Sequence, residues 1–371
     1  MKSRNSNIEF IRILAMFFIT AHHFAIWGYF NHDDIQGLNI NIVWLQILET
    51  LGKIGVDLFI LITGYYSLNA KPKMQKVFQL TNKVRTYTLG LFVILLFYGQ
   101  IQFGLRLAVA SVFPTLRILY WFITIYVILY IFSDYLALLI KKLTKSQVEK
   151  LILLNVLIFM IIPTFLLGWN SILTDLIPVF FLGLYIRIYQ VSDKFLKFLK
   201  IGSMFSIVFI LFCIMIADGL GLFLKKEIFI TSATRFIVTG SSPLALVLAA
   251  YIFSRTIVLK ARANKLINWA GSSALAIYLI QDYEPFRYIL WEYIFHVRSF
   301  AESMVTPVFM IYSILVIIVI VIGAIIIDKV LNLLLSRPAL ILLTLEMKVT
   351  NYTIQFVKRI IVKLTGYQLK L

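Results

Sequence analysis

The chain has 371 residues, of which 61% are hydrophobic and only 14% are charged, and its formal net charge is +18 at pH 7. A soluble protein of this length needs more polar surface than this composition supplies, so the chain is predicted to be a polytopic integral membrane protein. Stretches such as residues 311–327 are apolar on every face, which predicts an all-α bundle of transmembrane helices and excludes transmembrane strands. The basic residues cluster between these stretches, which does not indicate nucleic-acid binding.

About ten apolar stretches are each long enough to cross the hydrocarbon core as a helix, which takes roughly 20 residues. In chain order, the predicted spans cover residues 8–29, 45–67, 84–104, 118–140, 149–167, 172–190, 201–223, 236–258, 269–291 and 306–328. Charged residues interrupt the second, third and sixth of them: Lys53, Asp57, Arg85, Asp175 and Arg187. Residues 1–330 are therefore predicted to form a single transmembrane domain.

The basic residues predict the orientation of the chain. Most of the 35 Lys and Arg residues lie at the amino terminus, in alternate loops and in the carboxyl-terminal segment. Because such residues concentrate on the cytoplasmic side, both termini are predicted to be cytoplasmic, in a multi-pass protein of the bacterial cytoplasmic membrane.

The segment after the last predicted span has a different character. It is predicted to break at Arg337 and Pro338 and to resume with apolar and basic residues alternating at helical spacing. Residues 331–371 are therefore predicted to form a cytoplasmic, basic amphipathic tail on the anionic inner leaflet, with a disordered tail as the alternative.

The first predicted helix carries three polar residues that need an explanation, because a charged side chain at the bilayer centre costs about 2.5–3.5 kcal/mol on insertion scales. Arg12 and His23 are eleven positions apart, so at about 100° per residue they share one face, about 16 Å apart along the axis. His22 points away from that face. A membrane histidine acts as a general base, a metal ligand or a hydrogen-bonded packing residue. The spacing of the four histidines does not predict a metal site, and the other two possibilities stay open.

Five features follow one another along the chain: the Arg12 and His23 pair separated by ten residues, and the segments 55–65, 120–130, 276–282 and 287–291. Taken in this order, they resemble the membrane-bound acyltransferase 3 family, in its Gram-positive type. Two departures stand out. Where the family often has a basic pair three apart after the second helix, this chain has Asn82, Lys83 and Arg85, and Gln281 replaces a family histidine, which argues against a catalytic role at that position.

The resemblance implies an enzyme that moves an acyl group, expected to be acetyl, from acyl-CoA to a hydroxyl of an envelope or exopolysaccharide glycan or a lipid-linked saccharide. It implies that His23 is the general base that takes the proton of the sugar hydroxyl. Arg12, Lys83 and Arg85 would bind the phosphates of the acyl-CoA donor, such as acetyl-CoA, because basic side chains bind phosphate strongly. Simple anchoring on the cytoplasmic side is the alternative for these three residues.

Other polar and aromatic residues have expected roles that follow from their predicted positions along the spans. Asp282 would orient His23 or hold the acceptor sugar, against the alternative that it pairs with Arg287, and Asp57 has the same ambiguity. Four aromatic residues are candidates for stacking on a sugar or polyprenyl carrier: Tyr65, Trp121, Tyr126 and Tyr278. The remaining charges near span ends are interpreted as interfacial or capping residues: Asp134, Asp175, Arg187, Asp218 and Asp328.

Two other function classes fit a polytopic chain of this kind. A transporter or flippase for a lipid-linked saccharide would use Arg12, Asp57 and Asp282 to bind substrate without chemistry, but the absence of an internal repeat counts against it. A polysaccharide polymerase would be expected to carry a large charged outer loop, and the predicted outer loops are short. Dependence on acyl-CoA separates these classes.

Overall fold

The computed structural model describes residues 5–31, 37–165, 172–238 and 242–365. These residues form helices and connecting turns and contain no strand, which confirms the predicted all-α class. The helices are α1 Ser6–Ala25, α2 Ile40–Ser67, α3 Met74–Phe97, α4 Leu105–Val112, α5 Trp121–Lys142, α6 Lys145–Val156, α7 Ile162–Phe165, α8 Ile172–Tyr189, α9 Asp193–Leu224, α10 Glu227–Thr231, α11 Arg235–Val238, α12 Pro243–Ile257, α13 Lys265–Gly271, α14 Ala274–Gln281, α15 Glu284–Tyr288, α16 Val297–Ser303 and α17 Thr306–Thr365. Single π-helical turns follow α1, α6 and α15, at Ile26–Phe30, Leu157–Ile161 and Ile289–Ile294.

Among the described residues, six helical segments are long and apolar enough to cross a membrane, which confirms a multi-pass bundle. They are Ser6–Phe30, Met74–Phe97, Trp121–Lys142, Lys145–Thr164, Asp193–Leu224 and Thr306–Phe356. The bent pair Glu227–Val238 and Pro243–Ile257 makes a seventh if it is counted as one span. The total of ten spans stays a prediction.

The three other predicted spans also form helices, although one of them is not continuous. The second corresponds to α2, which is 28 residues long, and the sixth to α8, which contains Pro178. The ninth is divided into α13, α14 and α15, so the prediction of one helix over residues 269–291 is wrong. Helix α14 ends at Gln281, with Asp282 as its C-cap, and Pro285 lies in the first turn of α15, where its missing N–H costs nothing.

Helix α17 is continuous over 60 residues and contains Pro338, so the predicted break at Arg337 and Pro338 is wrong. The segment beyond Asp328 instead packs against α3 at separate points. Asp328 binds Lys83 of α3, and Glu346 binds Arg85, two residues further along α3. These contacts hold the helix on both sides of the proline, which removes one backbone hydrogen bond but is tolerated where neighbouring groups support the chain.

Three charges interpreted as interfacial are in fact buried: Asp175, Asp218 and Asp328. The Gln46 side-chain amide donates to the Asp218 carboxylate at 2.8 Å, and the Lys83 ammonium lies 2.7 Å from the Asp328 carboxylate. A position near the end of a span therefore does not guarantee exposure, because a neighbouring helix can supply a polar partner there.

The α1, α2 and α8 helices form a close-packed centre in which glycines replace side chains at the contacts. A Cβ added at Gly55 of α2 would lie 2.6 Å from the carbonyl oxygen of Ala15 in α1. A Cβ added at Gly183 of α8 would lie 2.5 Å from the carbonyl oxygen of Leu61, and one at Gly64 would overlap the backbone of α8. Such contacts allow helix backbones to approach closely in a membrane, and here they pack α2 against α1 on one side and against α8 on the other.

Candidate active site

A cavity of about 520 Å³ lies between α1, α2, α5, α8, α14 and α15. Its lining combines apolar residues with polar ones from six separate helical segments. The polar and aromatic lining residues are His22, His23, Trp27, Lys53, Trp121, Phe122, Asp175, Tyr278, Asp282 and Arg287. This volume lies within the range of about 300–1,000 Å³ that is typical of small-molecule sites.

His23 occupies this cavity with most of its imidazole ring buried. Its Nε2 lies 3.8 Å from Oδ1 of Asp282, which is too long for a hydrogen bond but close enough for a charge to act between the two groups. Its buried Nδ1 has no hydrogen-bond partner among the described residues. The structure therefore brings His23 and Asp282 together, and a ring nitrogen of His23 is not committed to a structural hydrogen bond.

Asp282 also forms the ion pair that the sequence left open. The Arg287 guanidinium lies 2.7 Å from Oδ1 of Asp282, and Nε of Arg287 donates to the Asp282 backbone carbonyl at 3.2 Å. The guanidinium stacks on the indole of Trp27, with its central carbon 4.0 Å from the ring centroid. Asp282 thus lies between the fixed guanidinium of Arg287 and the imidazole of His23. The break between α14 and α15 makes this position possible.

His22 has a different environment from its neighbour. Its Nδ1 lies 2.7 Å from the backbone carbonyl oxygen of Glu49, and its ring fills the space beside Gly52, where an added Cβ would lie 2.5 Å from Cγ of His22. The ring touches the edge of the cavity but is held by α2. These contacts give His22 a packing role between α1 and α2.

Two of the four predicted aromatic residues line the cavity. The Tyr278 ring lies 6.1 Å from the His23 ring, measured between centroids. Trp121, at the first position of α5, also lines the cavity, and the Lys53 ammonium is 5.4 Å from the centroid of its ring. Both rings are therefore placed where they can contact a bound substrate.

Three other predicted substrate-binding residues do not line the cavity. Asp57 is fully buried, and neither carboxylate oxygen has a hydrogen-bond partner among the described residues, although Lys53 one turn away interacts with it electrostatically. The Tyr65 hydroxyl accepts a hydrogen bond from Arg187 at 3.0 Å. Tyr126 packs against Phe122, at 6.3 Å between ring centroids, and lies near Arg12. A direct contact with the substrate in this cavity is thus not supported for these three residues.

The basic residues predicted to bind the donor have contacts with different elements. Arg12 lies 3.0 Å from the Glu9 carboxylate, and its side chain is 34% exposed. Lys83 pairs with Asp328 at 2.7 Å, at the wall of a second cavity of about 410 Å³ between α3 and α17. Arg85 pairs with Glu346 at 2.9 Å. The latter two cations therefore already have carboxylate partners from α17.

Several residues that line the cavity were not predicted from the sequence as site residues. Arg287 was predicted only as an alternative partner for Asp282, Lys53 was noted only as a charge that interrupts a span, and Asp175 was interpreted as an interfacial or capping residue. The sequence could have indicated Lys53 as a site residue, because a cation four residues before Asp57 inside an apolar stretch needs a partner or a cavity. Trp27 had no such signal, since tryptophan is common in membrane helices.

One comparison with known proteins gave a match. A family model described as an acyltransferase domain, from the acyltransferase 3 family, matches residues 5–328. A search of curated proteins and a search of solved structures gave no match. The matched range includes every residue that lines the cavity around His23.

Proposed function

Since the chain belongs to the acyltransferase 3 family, we propose that it transfers an acyl group, most simply acetyl, from acyl-CoA to a hydroxyl of an envelope or exopolysaccharide glycan. The observation that carries this proposal is the imidazole of His23, which faces a cavity of about 520 Å³ and lies 3.8 Å from the carboxylate of Asp282. Family membership favours acyl transfer over the transporter and the polymerase.

In this mechanism, His23 is the general base. A sugar hydroxyl is a poor nucleophile at neutral pH, so the imidazole takes its proton as the oxygen attacks the thioester carbonyl. The carbon–sulfur bond then breaks, and the coenzyme A thiolate leaves with the proton that His23 has accepted. Asp282 stabilises the imidazolium that forms between these two steps, because its carboxylate is within 3.8 Å of the ring.

Arg287 is a positioning residue in this proposal. It holds the carboxylate of Asp282 at 2.7 Å and is itself fixed against Trp27. An isolated carboxylate in a membrane-embedded site would be costly, and the guanidinium offsets that cost while it leaves Asp282 beside His23. The guanidinium therefore holds the Asp282 carboxylate at a fixed position beside the base.

We place the donor phosphates at Arg12, which is partly exposed and shares a helix face with His23 about 16 Å away. A pantetheine arm that runs along this face would bring the thioester into the cavity from the side predicted to be cytoplasmic. Lys83 and Arg85 remain candidates for a second phosphate contact, but only if the donor displaces Asp328 and Glu346. A phosphate carries more charge than a carboxylate and accepts more hydrogen bonds, so such an exchange is physically reasonable.

The test compares two neighbouring histidines in membranes that contain equal amounts of each variant. His23→Ala is expected to lower glycan acetylation and acyl-CoA consumption by about 10²- to 10⁴-fold, the usual contribution of a general base. His22→Gln, the matched control, is expected to stay within about tenfold of the wild type, because His22 packs against α2. Wild-type activity in His23→Ala at a normal membrane level would exclude His23 as the base.

A further inference from the structure

The wall of the cavity formed by α2, α5 and α8 carries three side chains to which the mechanism assigns no role. Lys53 comes from α2, Trp121 from α5 and Asp175 from α8, and all three line the same cavity as His23. Asp175 is only 3% exposed. A cation, a carboxylate and an indole from three different helices thus meet at one place in the membrane domain.

The charges around the cavity are balanced without a substrate. Two cations line it, Lys53 and Arg287, and so do two carboxylates, Asp175 and Asp282. Arg287 is committed to Asp282, at 2.7 Å, and Lys53 interacts electrostatically with both Asp175 and the buried Asp57. Among the described residues at this site, no cation lacks a carboxylate neighbour.

This balance constrains which acceptor fits. A carboxylate or phosphate on the substrate would add a negative charge at low dielectric beside carboxylates that already neutralise the cations, and this is unfavourable. An uncharged, hydroxyl-rich ring adds no charge, and its hydroxyls can donate to Asp175 and accept from Lys53. Its apolar face can pack on the indole of Trp121.

We infer that Lys53, Asp175 and Trp121 form the acceptor subsite, and that the acylated unit of the acceptor is an uncharged sugar. This inference rests on the proposed acyl transfer. The sugar lies between the indole and His23, with one hydroxyl directed at the imidazole, and the thioester enters from the Arg12 side. Lys53 and Asp175 therefore select the acceptor, whereas His23 and Asp282 act on the proton.

The experiment measures transfer from acetyl-CoA to two matched probes in membranes that contain the full chain. Methyl glucopyranoside is the neutral probe, and methyl glucuronopyranoside has the same ring with a carboxylate. The wild type is expected to prefer the neutral probe by at least about tenfold in kcat/KM. Lys53→Met is expected to raise KM for the neutral probe about tenfold and to leave KM for acetyl-CoA unchanged, since it removes one charged hydrogen-bond donor.

A second variant tests the charge balance directly. Its measured quantity, the ratio of kcat/KM between the two probes, does not depend on the amount of folded protein. Asp175→Asn leaves Lys53 with one carboxylate neighbour fewer, so the ratio of kcat/KM between the two probes is expected to shift toward the anionic probe by about tenfold. Lys194→Met, an exposed position at the start of α9, is the matched control and is expected to leave the ratio unchanged.

The outcomes separate this inference from the proposed function. Two results would exclude the neutral acceptor while the wild type still consumes acetyl-CoA. In one, the enzyme acetylates the glucuronopyranoside better than the glucopyranoside; in the other, it acetylates neither probe. If the ratio is the same in Asp175→Asn as in the wild type, the subsite is excluded. If the wild type consumes no acetyl-CoA and acetylates nothing, the proposed function itself falls.

Discussion

Two cavities of this protein contain basic side chains paired with carboxylates, yet only one of them has the groups for chemistry. In the cavity around His23, Arg287 and Asp282 form a pair that lies beside an imidazole. In the cavity between α3 and α17, Lys83 and Asp328 form a pair of the same length, 2.7 Å, but no histidine lines the wall. A buried ion pair therefore indicates a functional site only when a third group is placed to use it.

The two regions also differ in what holds their charges. Asp282 comes from the end of a short helix that stops at the cavity, whereas Asp328 and Glu346 come from one long helix that packs on α3. The first arrangement leaves space for a substrate beside an imidazole. In the second, a cavity of about 410 Å³ lies beside Lys83 and Asp328, and the Arg85 and Glu346 pair, 20% and 18% exposed, does not line it.

The largest expected difference between the two regions comes from the base itself. His23→Ala is expected to reduce the turnover number by about 10²- to 10⁴-fold, while Lys83→Met is expected to reduce it by less than about tenfold. The measurement is kcat for acetyl transfer in membranes with matched protein levels. Equal losses in the two variants would show that the α3 and α17 region takes part in catalysis.

The next effect separates the role of Arg287 from simple packing. Arg287→Met leaves Asp282 buried without its cation, so the carboxylate shifts or becomes neutral and kcat is expected to fall roughly 10- to 100-fold. Arg287→Lys is expected to restore part of the loss, because an ammonium can still pair with Asp282. A change confined to KM for acetyl-CoA would instead place Arg287 at the donor.

Arg12 is expected to act on donor binding alone. Arg12→Ala should raise KM for acetyl-CoA about tenfold and leave kcat at saturating donor close to the wild-type value, because the residue binds phosphate far from the reacting atoms. The control is Arg298→Ala, which breaks an ion pair with Glu302 at the start of α16, away from both cavities. An unchanged KM in Arg12→Ala would remove the donor from this position.

The smallest effect is expected at the end of α17. Glu346→Gln removes the carboxylate that competes for Arg85, so KM for acetyl-CoA is expected to fall by roughly two- to fivefold, in line with the strength of a partly exposed ion pair. Glu302→Gln is the matched control in a pair that does not face α3. A KM that does not change would make Arg85 and Glu346 a structural contact only.

Part of the candidate site follows from the sequence because it lies within one helix. Arg12 and His23 share a face of α1 by periodicity alone, and the direction of His22 away from that face also follows from helical geometry. The pairing of Asp282 stayed ambiguous, because it depends on where α14 ends. That end is set by Pro285 and by packing against α1, which local propensity does not describe.

The apolar composition by itself determined that this is an all-α membrane protein, because hydrophobicity acts locally and adds up along each stretch. The order of the motif-like segments was enough to indicate the acyltransferase 3 family, which the match over residues 5–328 shows. Only the tertiary structure decided which charges meet. Lys53 and Asp175 face one cavity while Lys83 and Asp328 pair elsewhere, because the partner of a charge depends on the rotation, ends and close contacts of helices far apart in the chain.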